Sequence, residues 1–357
     1  MRVLQLIDTL EAGGAERMAV NIANGLLSHN VNSYICATRH EGQLKSSLAS
    51  SVTYLFLEKK SKWDIRAYLN FFRWIKREEI EIIHAHSTSI YLAVLAKIKN
   101  PKLKIIWHDH YGLSEKLQER PRTLLKFVSK YFDQVIAVNF ALVNWSRDIL
   151  SVKKVAYIPN FASFSNDEIK KTNLMGIEGK RVVCLANLRP QKNHIELIEA
   201  FRQSIVEFSD WTLHLVGQSF DDLYAFSINE YINNYKLQNK VFLYGSCQDV
   251  QNILNQSDIG VLVSHSEGLP VSLLEYGNAT LPAIVTNVGQ CAAVVDENGI
   301  VIDNVSRELK EALLKYYNLS NEEASLVGKR FRESVRKSYS KEAFFKKLIP
   351  IYRRLLF

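Results

Sequence analysis

Three short stretches of the chain combine residue types that can hold a phosphate or a sugar. The first is Gly13-Gly14-Ala15-Glu16-Arg17, which follows an apolar run and opens a helical pattern. Adjacent glycines leave backbone N–H groups uncovered, and a helix start adds partial positive charge, so the segment reads as a phosphate cradle. It lacks the second glycine of the dinucleotide fingerprint, and a tight strand-to-helix turn would look the same. The second stretch is Asn187-Leu188-Arg189-Pro190-Gln191-Lys192-Asn193. Arg189 offers a planar fork and Lys192 a point charge to a diphosphate. The third runs from Ser266 to Glu275, with Glu267 and Glu275 eight residues apart around Gly268, Leu269 and a helix-starting Pro270. Either the helix N-terminus takes a phosphate while Glu275 binds ribose hydroxyls, or these are a loop acid and a helix-surface acid. Spacing alone does not choose.

Two histidine pairs stand apart from these, His84-Ala85-His86 and His108-Asp109-His110. In a strand, HxH points both rings to one face. Four imidazoles from two adjacent strand ends can in principle bind zinc, but no Cys or Glu completes a familiar spacing, and no metal is expected. His86 and His110 are expected to line a ligand crevice or cap strand ends, and Asp109 to orient a histidine or act as a base. No two aspartates lie two residues apart, so there is no DxD to carry a metal-bound diphosphate. Leaving-group charge must then be met by Arg189, Lys192 and a helix dipole. The GxSxG elbow and the Walker pattern are also absent, which argues against a serine hydrolase and a P-loop NTPase.

These residues sit where strands end. Near-continuous Val/Ile/Leu runs alternate with helical patterns in two series: Val3–Asp8, Asn32–Thr38, Val52–Leu57, Ile80–His86, Lys104–His110, Gln134–Asn139 and Val155–Asn160, then Arg181–Asn187, Thr212–Gly217, Val241–Ser246, Ile259–Ser264, Ala283–Val288 and Ile300–Asp303. Such runs imply parallel strands buried on both faces. Two series imply an α/β chain of two Rossmann-like domains whose strand ends face each other across a cleft. The polar stretch 161–180 is the expected join. It gives a first domain at 1–165 and a second at 166–340, with the basic amphipathic helix 341–357 packing back onto the first.

The chain has 357 residues and a net charge of +8. All of that surplus is in residues 1–160, with 23 Lys+Arg against 14 Asp+Glu; residues 161–357 carry 22 against 23. An anionic partner for the first domain is therefore expected. Two segments interleave bases with apolar residues: Lys59 to Arg77, with Trp63, Phe71, Phe72 and Trp74, and Lys116 to Lys130, with Leu124, Leu125, Phe127 and Val128. They suit an interfacial helix on an anionic membrane, or equally a core helix with a solvated basic face. A nucleic-acid binder would explain the charge but not the acids and phosphate-like loops. Cys36, Cys184, Cys247 and Cys291 are scattered and fit a reducing compartment. No apolar run is long enough to span a bilayer, so a cytoplasmic protein is expected, peripheral at the inner face of the membrane.

In order along the chain, Gly13-Gly14-Ala15-Glu16-Arg17, His108, Lys192 and Glu267-x7-Glu275, followed by Ala279, Pro282 and Asn287-Val288-Gly289, resemble the retaining GT-B glycosyltransferases of family four. The resemblance spans nearly the whole chain. It implies a nucleotide-sugar donor, UDP-linked ahead of GDP-linked, held mainly by the second domain, and an acceptor held mainly by the first. It also implies that Glu275 binds ribose, Lys192 and Arg189 neutralise the diphosphate, Glu267 touches donor-sugar hydroxyls, and His108 contacts the sugar or its leaving diphosphate. Gly13 and Gly14 would approach the diphosphate, with Asn187, Gly217, Gly268, Leu269 and Pro270 completing the donor set. Glu16, Arg17, His86, Asp109 and His110 are the expected acceptor set, and the resemblance does not settle whether Asp109 orients a histidine or acts as a base. The chain departs from the family pattern at Ala186-Asn187 in place of Gly-Arg, and at Thr280, Gln290 and Ala293. The expected reaction is metal-independent transfer of a hexosyl or N-acetylhexosaminyl group, with retention, to a hydroxyl of a lipid-linked saccharide during surface polysaccharide synthesis. A nucleotide-sugar epimerase and a non-enzymatic binder of anionic surfaces are the alternatives.

Overall fold

The computed structural model describes residues 1–61, 63–162 and 170–357, with 114 and 115 described by their backbone alone. The chain divides into two compact units, Met1–Phe161 with Lys341–Phe357, and Ala162–Ser340. Part of the expected join, 163–169, lies outside the described residues, as does Lys62 of the first basic segment.

The first unit runs β1 (Arg2–Thr9), α1 (Gly14–Leu26), β2 (Asn32–His40), β3 (Thr53–Phe56), α2 (Ile65–Arg77), β4 (Ile82–His86), α3 (Ile90–Lys99), β5 (Lys104–Asp109), α4 (Thr123–Val128), β6 (Gln134–Ala137), α5 (Phe140–Ile149) and β7 (Val155–Tyr157). The second runs β8 (Arg181–Leu185), α6 (His194–Ser204), β9 (Thr212–Val216), α7 (Leu223–Asn234), β10 (Val241–Gly245), α8 (Val250–Asn255), β11 (Ile259–Leu262), α9 (Val271–Asn278), β12 (Ala283–Thr286), α10 (Cys291–Val295), β13 (Ile300–Ile302), α11 (Val305–Tyr317) and α12 (Asn321–Tyr339). The chain then returns to the first unit as α13 (Lys341–Leu356).

Both sheets are parallel. Their orders are β3-β2-β1-β4-β5-β6-β7 and β10-β9-β8-β11-β12-β13. The order reverses direction between β1 and β4 in one sheet and between β8 and β11 in the other. Loops leaving the carboxyl ends of those strands part there, which opens a crevice for a ligand.

Side-chain alternation sorts the first sheet into two faces. Leu4, Leu6, Ile83, Ala85, Ile105 and Trp107 join Phe71, Trp74 and Trp145 in the larger core. On the other face, Ile7, Ile35 and Ala37 pack on Ala19, Val20 and Ala23 of α1. The tail helix α13 belongs to this first unit through close contacts. A Cβ on Gly25 would come within 2.3 Å of the Phe345 ring, and Phe161 lies 4.8 Å from Phe344, centroid to centroid. Local chemistry sets the helix starts: Asn139 caps α5 through Leu142 N, and Ser320 with Glu323 forms a capping box on α12. All four cysteines are free.

In the second unit, Gly217 permits one close crossing. A Cβ there would lie 2.1 Å from the Ala186 carbonyl oxygen, against backbone that cannot yield cheaply. Gly217→Ala is therefore expected to destabilise the protein by about 1–3 kcal/mol. Gly14→Ala, whose Cβ would meet nothing within 4 Å, should stay within about 0.5 kcal/mol of wild type. Urea midpoints measure both, and equal midpoints would refute the crowding at Gly217.

Candidate functional site

In the second unit the loops after β8 and β11 are stitched together by their own polar groups. Leu188 N donates to Gln218 O at 2.9 Å, and Gln218 N donates to Asn187 Oδ1 at 2.9 Å. Asn187 thus braces the Gly217 crossing. His265 N donates to Gln191 O at 2.8 Å, and Gln191 Nε2 donates back to Ser266 O at 2.6 Å. This lacing presents Lys192 to Glu267, Nζ to Oε1 at 2.5 Å, while Ser264 Oγ donates to the same oxygen at 2.6 Å. Glu267 is buried and Lys192 partly exposed. Arg189 is exposed, its guanidinium 4.8 Å from the centre of the Phe220 ring.

Gly289 underlies the Glu267 segment. Its φ is +55°, and a Cβ would fall 2.2 Å from the Glu267 carbonyl oxygen. Its neighbour Gln290 donates from N to Gly268 O at 3.0 Å. Extended Pro270 then caps α9 rather than forming its first turn, and the helix begins at Val271. Glu275, the fifth residue of α9, is buried. The β8/β11 crevice therefore gathers a lysine, an arginine, two buried carboxylates and the positive end of a helix, a set suited to an anion with hydroxyls on either side. His194, which the sequence reading passed over, opens α6 beside Lys192, and burial drives its pKa down to about 4.

In the first unit Gly13 is the extended cap of α1, and Arg17 N donates to its carbonyl at 2.8 Å. Glu16 folds back over this turn, with its Oε2 2.3 Å from where a Cβ of Gly13 would sit. The histidines of β4 and β5 form one stacked column. Register pairs His86 with His108, and Gln5 with His84. His84 Nε2 lies 3.1 Å from His108 Nδ1, and His86 Nδ1 lies 3.0 Å from His110 Nε2. Two residues that the sequence reading missed close the column. Tyr352 Oη of α13 sits 2.6 Å from His84 Nδ1, and Gln5 Oε1 sits 2.9 Å from His86 Nε2. Gln5 was legible as the one polar residue inside the apolar run Val3–Ile7; Tyr352 carried no signal.

Asp109 requires a correction. As the residue between two histidines on a strand, it points to the opposite face, where Arg120 Nη1 and Nη2 donate to its two oxygens at 2.7 and 2.8 Å. The Arg120 guanidinium lies 4.2 Å from the Tyr111 ring centre and 4.4 Å from that of Trp145. Asp109 is thus half of a buried ion pair with Arg120 and does not orient His108. The partner of His108 is His84, not Asp109. Among the described residues, His84, His86 and His108 are the one histidine, cysteine or carboxylate group close enough to hold a metal. Both ring nitrogens of His84 are engaged, by Tyr352 and His108, and both of His86, by His110 and Gln5, while His108 is engaged through Nδ1.

Two Rossmann-like units, each with its crevice at a switch point and one of them gathering cations and carboxylates, form the GT-B fold of glycosyltransferases. Residues 12–164 match the model of Glycosyltransferase Family 4, and 165–333 that of Glycosyl transferases group 1. The chain belongs to glycosyltransferase family four and is a transferase, which sets aside the epimerase and non-enzymatic readings. It is 24% identical over 320 residues to the amylovoran biosynthesis glycosyltransferase AmsD of Erwinia amylovora, covering 88% of this chain and 89% of that one. It is 25% identical over 266 residues to the UDP-Gal:alpha-D-GlcNAc-diphosphoundecaprenol alpha-1,3-galactosyltransferase of Escherichia coli, covering 67% of each. Anabaena Alr3699/HepE, solved with UDP and glucose, has the same fold: TM-score 0.80 at 15% identity, over 99% of this chain and 100% of that one.

Burial holds the histidine column neutral. It pushes His84 and His110 down to about 3, and neighbouring rings help lower His86 and His108 well below the ordinary 6.5. Below pH 6.5 the unfolded chain takes up protons that the folded column refuses. This contribution to stability is complete above 6.5 and is lost as the pH falls toward 3. Between pH 6.5 and 5 the unfolding free energy should drop by about 1–2 kcal/mol for each histidine that stays neutral. Urea titrations at the two pH values test this, and a flat profile would contradict it.

Proposed function

We propose that the protein transfers a sugar, with retention of anomeric configuration, from a UDP-sugar on the second unit to a hydroxyl of a lipid-linked saccharide on the first. The observation that carries this is the Lys192–Glu267–Ser264 cluster beside the α9 N-terminus. On donor arrival Lys192 exchanges the Glu267 carboxylate for the diphosphate, and Arg189 leaves Phe220 to join it. Glu267, released, accepts hydrogen bonds from donor-sugar hydroxyls, and Glu275 does so from the ribose. Charge that develops on the diphosphate as the glycosidic bond breaks is met by these cations and the helix end. The departing phosphate oxygen takes the acceptor proton on the same face of the sugar, so no carboxylate is needed behind the anomeric carbon. The reaction runs without a metal, since Lys192 and Arg189 supply the charge that a DxD-bound cation would. A polysaccharide pathway is supported by the similarity to AmsD, an amylovoran biosynthesis glycosyltransferase, and to the diphosphoundecaprenol galactosyltransferase.

Steady-state kinetics with UDP-glucose, UDP-galactose and UDP-N-acetylglucosamine, reading released UDP, test the assignment. Lys192→Ala should lower kcat by about 10²–10³-fold, Glu275→Ala should mainly raise the donor KM, and EDTA should leave turnover intact. Unchanged kinetics in both variants, or loss of activity on chelation, refutes it.

The acceptor reading extends to a peripheral membrane contact in the cytoplasm. Among the described residues no helix is long and apolar enough to cross a membrane. The first unit instead exposes apolar side chains among bases: Trp63 at 87% and Ile65 at 70% near Lys60 and Arg66, and Leu124 at 59% and Phe127 at 63% near Arg122 and Lys126. Vesicles containing phosphatidylglycerol should co-sediment the protein, with binding reduced by Trp63→Ala plus Phe127→Ala and by salt. Equal binding to neutral vesicles would contradict the anionic requirement.

A further inference from the structure

The histidine column contains two hydrogen-bonded chains that meet at one side chain, Gln5. Gln5 Nε2 donates to Tyr352 Oη at 3.4 Å. The Tyr352 hydroxyl, having accepted there, donates to His84 Nδ1 at 2.6 Å. His84 then carries its proton on Nε2 and donates to His108 Nδ1 at 3.1 Å. A neutral His108 must therefore hold its own proton on Nε2. The other chain starts from the opposite end of the same amide. His86 Nε2 donates to Gln5 Oε1 at 2.9 Å, which leaves His86 Nδ1 to accept from His110 Nε2 at 3.0 Å. His110 Nδ1 is then bare.

Each chain ends on an atom without a partner. His108 Nε2 and His110 Nδ1 are both buried and unpaired, on rings whose centroids are 4.0 Å apart. An unmet buried donor or acceptor is costly, so a ligand that satisfies both is favoured. An amide has one donating and one accepting end, so two chains growing from it finish with opposite polarity. We infer that Gln5 and Tyr352 are positioning residues that make His108 a hydrogen-bond donor and His110 an adjacent acceptor, a pair that fits a single sugar hydroxyl. A hydroxyl accepts and donates at one atom. A diphosphate oxygen only accepts, and it would leave the bare nitrogen of His110 facing an anion. Burial keeps both rings neutral, which removes the charge that would favour a phosphate. The donor–acceptor pair stands on the hydrogen-bond geometry of buried, neutral rings and on which end of the Gln5 amide faces each chain; its assignment to a sugar rests on the transferase reading above.

Long-range ¹H–¹⁵N NMR of the full chain at pH 7 tests the first part without any substrate. All four rings should be Nε2-protonated; His108 with a bare Nε2, or His110 with a proton on Nδ1, overturns the assignment. Gln5→Glu gives a sharper outcome. A carboxylate accepts at both ends, so Tyr352 would donate to it and accept from His84. His84 and His108 should then switch to the Nδ1 form while His86 and His110 stay unchanged. No switch, or a switch of all four, overturns the role of Gln5. The wild-type spectrum keeps the proposal open to refutation if the variant does not fold. The hydroxyl is tested by adding UDP, UDP-glucose, UDP-galactose, UDP-N-acetylglucosamine or methyl α-glucoside. His108 and His110 nitrogen shifts should respond to at least one sugar-bearing probe and not to UDP alone. A nucleotide-sugar response marks the donor's hydroxyl and a methyl glucoside response the acceptor's. A response to UDP alone, or to no probe, overturns it. Lost turnover with intact tautomers would fault the transferase reading; the reverse would fault this one.

Discussion

One buried carboxylate oxygen organises the second unit. Glu267 Oε1 receives both the Lys192 ammonium and the Ser264 hydroxyl. Burying a carboxylate is expensive unless it is paired and hydrogen-bonded, and removing one partner leaves a cost of several kcal/mol. The pair therefore holds the loops after β8 and β11 at a fixed spacing. It also keeps a lysine in the β8/β11 crevice, where the proposed function has an anion displace its present partner. A merely structural ion pair would gain nothing from lying beside a helix N-terminus and an exposed arginine.

The supporting backbone follows from that requirement. Gly217 lets β9 pass against Ala186, and Gly289 in the left-handed region lets the chain pass over the Glu267 carbonyl. Asn187 occupies the place where the family pattern has arginine, and it braces the crossing instead of binding charge. The proposed function gives the cation duty to Arg189, which is stacked on Phe220. The first unit solves a different problem. Its switch point is filled with neutral imidazoles, whose polarity is set by hydrogen-bond direction and not by charge.

Much of the architecture was legible because it is local. The Val/Ile/Leu runs became strands near their expected bounds, and the post-strand residues were the ones that gathered in the crevices. Period-two alternation also contained the answer for Asp109: a residue flanked by two same-face histidines must point away from them. What could not be read is long-range. Tyr352 reaches His84 across 268 residues of sequence, and Lys192 reaches Glu267 across 75. No periodicity encodes such meetings; the order of strands in the sheets creates them. Arg120 was seen only as one base in a charged run, although three aromatic rings and a buried aspartate claim it.

The central claim is that Glu267 holds Lys192 in reserve for a diphosphate. Calorimetry of UDP binding to wild type and to Glu267→Gln measures this directly. A neutral amide releases the lysine, so the variant should bind UDP as tightly as wild type or more tightly, while losing sugar transfer. Weaker UDP binding in Glu267→Gln, in a variant whose unfolding midpoint is preserved, would contradict the account.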